Sequence, residues 1–187
     1  MIKKHLKRNY QKVKFILYRE TLIDPKEHLL TFLGAFFGIA IIGYINSKYL
    51  ILNDNLFMIG SFGASAVLIY GVINSPLAQP RNLIGGHLLS AIIGVTIHKL
   101  LPNEVWLSSA LAVSLSIVVM QITKTLHPPG GATALIANIG SEKIKALGYM
   151  YVLSPVMTGV AILFVVALIF NNISKTRHYP LKKKPWG

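Results

Sequence analysis

The chain has no cysteine among its 187 residues, which excludes disulfides, thiolate nucleophiles and cysteine-based metal sites. Acidic side chains are scarce as well, with six Asp and Glu against 19 Lys and Arg. No two carboxylates stand close together within an apolar segment, so a catalytic carboxylate pair is excluded. The sequence has no phosphate-binding glycine loop ending in Lys-Ser/Thr, no HExxH and no serine elbow. His87 and His127 alone are too few for a metal site. No enzyme, cofactor or bound metal is therefore expected. Charged residues make up 13% of the chain and hydrophobic ones 53%, with a mean hydropathy of +0.56. A soluble domain carries roughly 25% charged residues. The expected class is an all-α integral membrane protein.

A net charge of +13 first suggests a nucleic-acid partner, but its placement points elsewhere. Residues 1–27 hold eight Lys or Arg and residues 171–187 hold five, whereas the 143 residues between carry six basic and three acidic side chains. Short basic flanks on an apolar body read as cytoplasmic by the positive-inside rule and as contacts for anionic lipid headgroups. They carry no nucleic-acid recognition motif, and no such partner is expected. The expected organisation is a basic cytoplasmic segment over 1–27, a transmembrane body over 28–171 and a basic cytoplasmic tail over 172–187. A bacterial cytoplasmic membrane is the expected location, and a homo-oligomer is compatible with the sequence.

Residues 1–23 place Leu6, Tyr10, Val13 and Leu17 at helical spacing, which suits an amphipathic helix on the membrane face or a basic tail alike. Asp24-Pro25-Lys26-Glu27 resembles a capping box that starts a helix. Long apolar spans follow over 28–52, 83–101, 104–123 and 147–171, lengths suited to a hydrocarbon core of about 30 Å. Asn53-Asp54-Asn55 closes the first, Pro102 ends the second and Asn103 can cap the third. Gly140 to Lys145 reads as a polar loop, and Ser154-Pro155 should kink the last span. Two short small-residue runs remain, GSFGASAVLIYG at 60–71 and HPPGGATAL at 127–135.

Those runs align. Gly63-Ala64-Ser65-Ala66-Val67-Leu68 matches Gly131-Ala132-Thr133-Ala134-Leu135-Ile136 at an offset of 68 residues, and the same offset superposes the long spans. The expected architecture is four long transmembrane helices plus two short, Gly-rich, broken or re-entrant segments. The two halves, about 28–101 and 104–171, would form an internal two-fold repeat. If the short segments cross, the repeats are inverted; if they re-enter, the repeats are parallel. Interrupted segments at corresponding positions of two halves point to a transporter site.

The polar positions of these runs are the candidate solute path. Pro128 and Pro129 stiffen an extended approach, and Gly130 and Gly131 let the backbone turn and open amide groups to a ligand. A helix restarting at Gly131 or Ala132 would present an N-terminus that favours an anion. Gly63 could do the same in the first half, although glycines at both places also suit close helix packing. His127 and His87 are ionisable groups at membrane depth, a functional signal by default. Ser65 and Thr133 occupy matching positions and could supply hydroxyl donors or helix–helix hydrogen bonds. Lys124 and Arg81 could draw an anion to the path or anchor to headgroups. Asn138 could line the path or end the short helix.

His127-Pro128-Pro129-Gly130-Gly131-Ala132-Thr133-Ala134 resembles the signature that names the HPP family of integral membrane proteins. Gly60 to Val67, Ser75 to Asn82 and Gly85-Gly86-His87 are similar to that family too. The resemblance covers about residues 28–171 and implies four membrane-spanning segments. Some family members are associated with nitrite transport, so the resemblance implies a transporter or channel for a small anion such as nitrite. The alternative is a non-transporting membrane scaffold or assembly partner.

Overall fold

A computed structural model describes residues 24–49 and 58–181, all helical or irregular with no strand among them. The expected helix over 1–23, the Asn53-Asp54-Asn55 closure and residues 182–187 lie outside the described residues. Helix α1 runs Pro25–Tyr49. Helix α2 runs Gly60–Ala66 and passes into a π turn at Val67–Gly71. A 3-10 turn at Pro76–Ala78 leads to α3, Pro80–Leu100. Helix α4 spans Val105–Ile122, α5 Pro128–Ile139 and α6 Glu142–Ala146. A π segment at Val152–Met157, bent where Ser154 takes extended backbone before Pro155, leads into α7, Thr158–Phe170. Four of these stretches are long and apolar enough to cross a membrane.

The distribution of side chains is that of a membrane protein. Large apolar groups face outward, among them Phe32, Phe36, Tyr44, Trp106, Ile122 and Val165. The interior holds Ser61, Ser65, His87, Ser90, Ser116, His127, Thr133 and Asn138. Lipid leaves no penalty on exposed Phe or Ile, whereas an unpaired polar group facing it is costly. Helices α3, α4 and α5 pack closely on one another, and α1 packs on α7. The α3–α5 seam is made of small residues, which let two backbones approach. A Cβ on Gly94 would stand 2.7 Å from the Ala134 carbonyl oxygen, and one on Gly130 would stand 2.9 Å from the Gly86 carbonyl oxygen.

Interelement contacts fix the direction of each segment. At one end Thr31 Oγ1 donates to the Tyr70 carbonyl, Asn171 to the Ile69 carbonyl and Tyr179 to the Ala78 carbonyl. At that same end Arg81 donates to the Thr123 carbonyl and Asn82 to the Leu126 carbonyl. At the other end Met58 lies beside Gly43, Lys99 sits over the Tyr149 ring and Thr96 meets the Tyr149 hydroxyl. Successive apolar segments therefore alternate in direction, and neither short segment doubles back. At about 1.5 Å per residue each short segment is roughly 18 Å long, well under a full hydrocarbon core. The order long–short–long runs from α1 to α3 and again from α4 to α7.

Several local expectations are corrected. Helix α5 starts at Pro128, not at Gly131 or Ala132, because prolines suit the first turn of a helix, where an N–H has no partner to lose. Helix α3 opens at Pro80 for the same reason, three residues ahead of the expected 83. No side chain caps α4, and the residue before it is Glu104 rather than Asn103. The expected loop at 140–145 contains α6, capped by Ser141. Asp24 does cap α1, accepting from Lys26 N at 3.0 Å. Glu27, expected as the other half of a capping box, instead binds Ser174, Thr176 and Arg177. Arg177 also donates to the Glu27 carbonyl, the Thr31 hydroxyl and the Asn171 amide oxygen. This part-buried clamp ties the start of α1 to the segment after α7.

Candidate functional site

Three segments bring four polar side chains to one point. Helix α3 carries His87 as its eighth residue. The glycines before it leave room for the stretch of chain that precedes α5: a Cβ on Gly86 would stand 2.5 Å from His127 Cβ, and one on Gly85 2.5 Å from Thr125 Cγ2. His127 itself is held extended (φ −141°, ψ 103°) ahead of Pro128, as proline demands of its predecessor. One turn into α5, Thr133 faces back toward α3. Helix α2 supplies Ser65 from the opposite side.

The contacts form an unbranched chain through the interior. His127 Nδ1 lies 2.8 Å from the Leu77 carbonyl oxygen, and its Nε2 lies 3.0 Å from Ser65 Oγ. Ser65 Oγ is 2.7 Å from His87 Nε2, and His87 Nδ1 is 2.7 Å from Thr133 Oγ1. Ser65, His87, His127 and Thr133 are each 0% exposed. The imidazole centroids are 5.0 Å apart, and the Phe62 ring lies 6.0 Å from that of His87. Buried donors and acceptors in low dielectric must pair or cost heavily, and in this chain every one does.

The backbone at the start of α5 contributes less than expected. Pro128 and Pro129 have no N–H, and the Gly130 N–H donates to the His127 carbonyl at 2.8 Å. Donors at this terminus therefore reside on side chains.

Of the ten sequence-predicted positions, the structure joins Ser65, His87, His127 and Thr133. Gly130 sits in the α3–α5 seam. Gly131 has only Val113 Cγ1 near it, at 3.8 Å, and lines a separate apolar cavity of about 490 Å³ with Val113, Met120, Leu126 and Leu135. Gly63 is exposed on the far face of α2, beside a cavity of about 200 Å³ lined by Ile39, Ile42, Met58 and Phe62. Lys124 is exposed in left-handed backbone (φ 56°). Arg81 spends Nη2 on the Thr123 carbonyl. Asn138 donates to the Gly94 and Ala134 carbonyls, while its Oδ1 has no partner among the described residues. Sequence reasoning missed the Leu77 carbonyl, which is backbone and leaves no signature. It also missed Tyr151, whose hydroxyl donates to the Thr133 carbonyl at 3.0 Å, and Phe62. No group of three or more metal-ligating side chains occurs among the described residues.

Fold and site define an all-helical integral membrane protein with an internal imidazole–hydroxyl chain. Residues 20–180 match the family described as HPP, transmembrane region, and the chain belongs to that family. It is 45% identical over 166 residues to a transmembrane protein of Dictyostelium discoideum, covering 87% of this chain and 58% of that protein. It is 43% identical over 161 residues to a second transmembrane protein of the same organism, covering 84% and 51%. The chain thus spans little more than half the length of these relatives. No solved structure matches it.

Proposed function

We propose that this protein is a membrane transporter for a small anion, nitrite being the ion that the family resemblance implies. The buried Ser65–His87–His127–Thr133 chain is the polar step of its path. One observation carries this reading: two imidazoles and two hydroxyls converge, fully buried, inside a body whose outward faces are apolar. Packing alone does not require such a group, since ionisable side chains at membrane depth are costly and recur on solute and ion pathways. The chemistry suits an anion, because imidazole N–H and hydroxyl groups are donors that an anion can draw from their present partners. The two halves act as inverted repeats around this point, with the equivalent hydroxyls of Ser65 and Thr133 bonded to opposite nitrogens of His87.

Purified full-length protein in proteoliposomes loaded with a nitrite-sensitive reporter tests the reading. Nitrite entry above that of protein-free vesicles is expected, with competition from other small monovalent anions and none from phosphate or sulfate. Vesicles that stay as tight as the protein-free control overturn it and leave the scaffold as the surviving function.

A further inference from the structure

We propose that Thr133, His87, Ser65 and His127 form a proton relay that takes up a single proton, making this a site of proton binding as well as anion passage. The hydrogen-bond chemistry fixes where protons lie. The Leu77 carbonyl can only accept, so His127 carries its proton on Nδ1 and donates it there. Neutral His127 then has a bare Nε2 that accepts from the Ser65 hydroxyl. Ser65 has one proton and has spent it, so His87 must donate to Ser65 from Nε2. His87 Nδ1 is left bare and accepts from Thr133. One arrangement satisfies every atom, and the two histidines are opposite tautomers in it.

A proton delivered to Thr133 Oγ1 moves along that chain with no change of hydrogen-bond partners between His127 and Thr133. As it binds, the Thr133 O–H bond breaks and that proton goes to His87 Nδ1. The His87 Nε2–H bond breaks and its proton goes to Ser65 Oγ. The original Ser65 proton passes to His127 Nε2. One proton has entered, nothing is oxidised or reduced, and the charge of +1 rests on His127. His87 has changed from the Nε2–H to the Nδ1–H tautomer. Every atom is satisfied again: His127 now donates to Ser65, Ser65 to His87, His87 to Thr133, and the Thr133 hydroxyl turns to the Pro129 carbonyl at 3.3 Å. Two fully bonded states one proton apart are what a relay needs.

Among the described residues, the surroundings supply no counter-ion. Facing the cluster are Phe62 from α2, Gly86 and Ser90 from α3, Met120 from α4, Pro129 and Gly130 from α5, and the Tyr151 phenol from the segment before α7. Tyr151 is the other titratable group at the site, and its hydroxyl is engaged with the Thr133 carbonyl. None of the hydrogen bonds of these four relay side chains reaches a carboxylate, lysine or arginine. A proton on His127 is therefore an uncompensated buried charge, and an anion beside it supplies the missing partner. Proton and anion then bind cooperatively, each raising the affinity for the other by the same factor. This coupling rests on the transport reading; the relay itself does not.

The test is nitrogen-15 NMR of histidine-labelled full-length protein in nanodiscs, with His5, His28, His98 and His178 changed to Gln so that two imidazoles remain. At about pH 8 one Nδ1–H and one Nε2–H neutral imidazole are expected, given an ordinary histidine near 6.5. On acidification with nitrite present, one residue should become imidazolium while the other switches tautomer in the same step. Ser65→Ala should abolish the switch. Like tautomers at pH 8, or two independent protonations with no switch, overturn the relay. Should the replacements prevent folding, wild-type protein decides the matter equally well, since the pair must still add opposite tautomers and a concerted switch to its spectrum. A tautomer switch without nitrite flux keeps the relay and discards the transporter; flux without the switch does the reverse.

Discussion

Two serines on one helix separate hydrogen bonding from packing. Ser61 and Ser65 both lie on α2, one turn apart, and both are 0% exposed. Ser65 Oγ holds two imidazole contacts at 2.7 and 3.0 Å, whereas Ser61 Oγ has no partner among the described residues. Replacement by Ala removes the same atom and leaves the same small void in each case. Interhelical hydrogen bonds in membranes average about 0.6 kcal/mol and reach roughly 1.7 kcal/mol. Two of them give about 1–3 kcal/mol for Ser65→Ala. The upper half applies, because a buried His87 N–H and a buried His127 ring nitrogen are orphaned at about 1–3 kcal/mol each. Ser61→Ala deletes an unsatisfied hydroxyl and should be neutral or stabilising by up to about 1 kcal/mol. Reversible unfolding in mixed micelles, with both variants at one lipid-to-detergent ratio, reads the difference. Equal effects, or a loss for Ser61→Ala as large as for Ser65→Ala, would refute the hydrogen-bonded chain.

Other expectations follow from the same geometry. Gly94→Ala drives a methyl group into the Ala134 backbone at 2.7–2.8 Å and should cost at least about 2 kcal/mol, the range of overpacking. Gly131→Ala, with its nearest neighbour 3.8 Å away, should leave thermal stability unchanged or raise it by up to about 1 kcal/mol through helix propensity. Arg177→Met takes the guanidinium from the partly buried Glu27 carboxylate and should lower stability by about 1–3 kcal/mol; Glu27→Gln in the same chain should restore part of it, as a double-mutant cycle will read.

Much of this architecture is legible in the sequence because membrane burial leaves a strong mark. Runs of Leu, Ile, Val and Phe with few charges locate the four long helices to within a few residues. Ser65 and Thr133 stand out by their shared offset, and His87 and His127 by being ionisable in apolar company. Sequence alone cannot say that these four meet, since 22, 46 and 62 residues separate the bonded pairs. HPPGG is ambiguous for a physical reason: proline disfavours helix before itself and suits the first turn of one, so the motif fits a helix start at Pro128 or a turn through the glycines. The basic stretch after α7 misleads in another way. Hydropathy treats Arg177 as a solvated tail charge, but its partners are Glu27, Thr31 and Asn171, far away in sequence or hidden by composition.

In the reading proposed above, the small anion crosses at the imidazole–hydroxyl chain. Nitrite flux into proteoliposomes, measured side by side for wild type, Ser61→Ala and Ser65→Ala at equal incorporation, tests it most directly. Wild-type flux is expected for Ser61→Ala and loss of most of it for Ser65→Ala; undiminished flux through Ser65→Ala would remove the chain from the path.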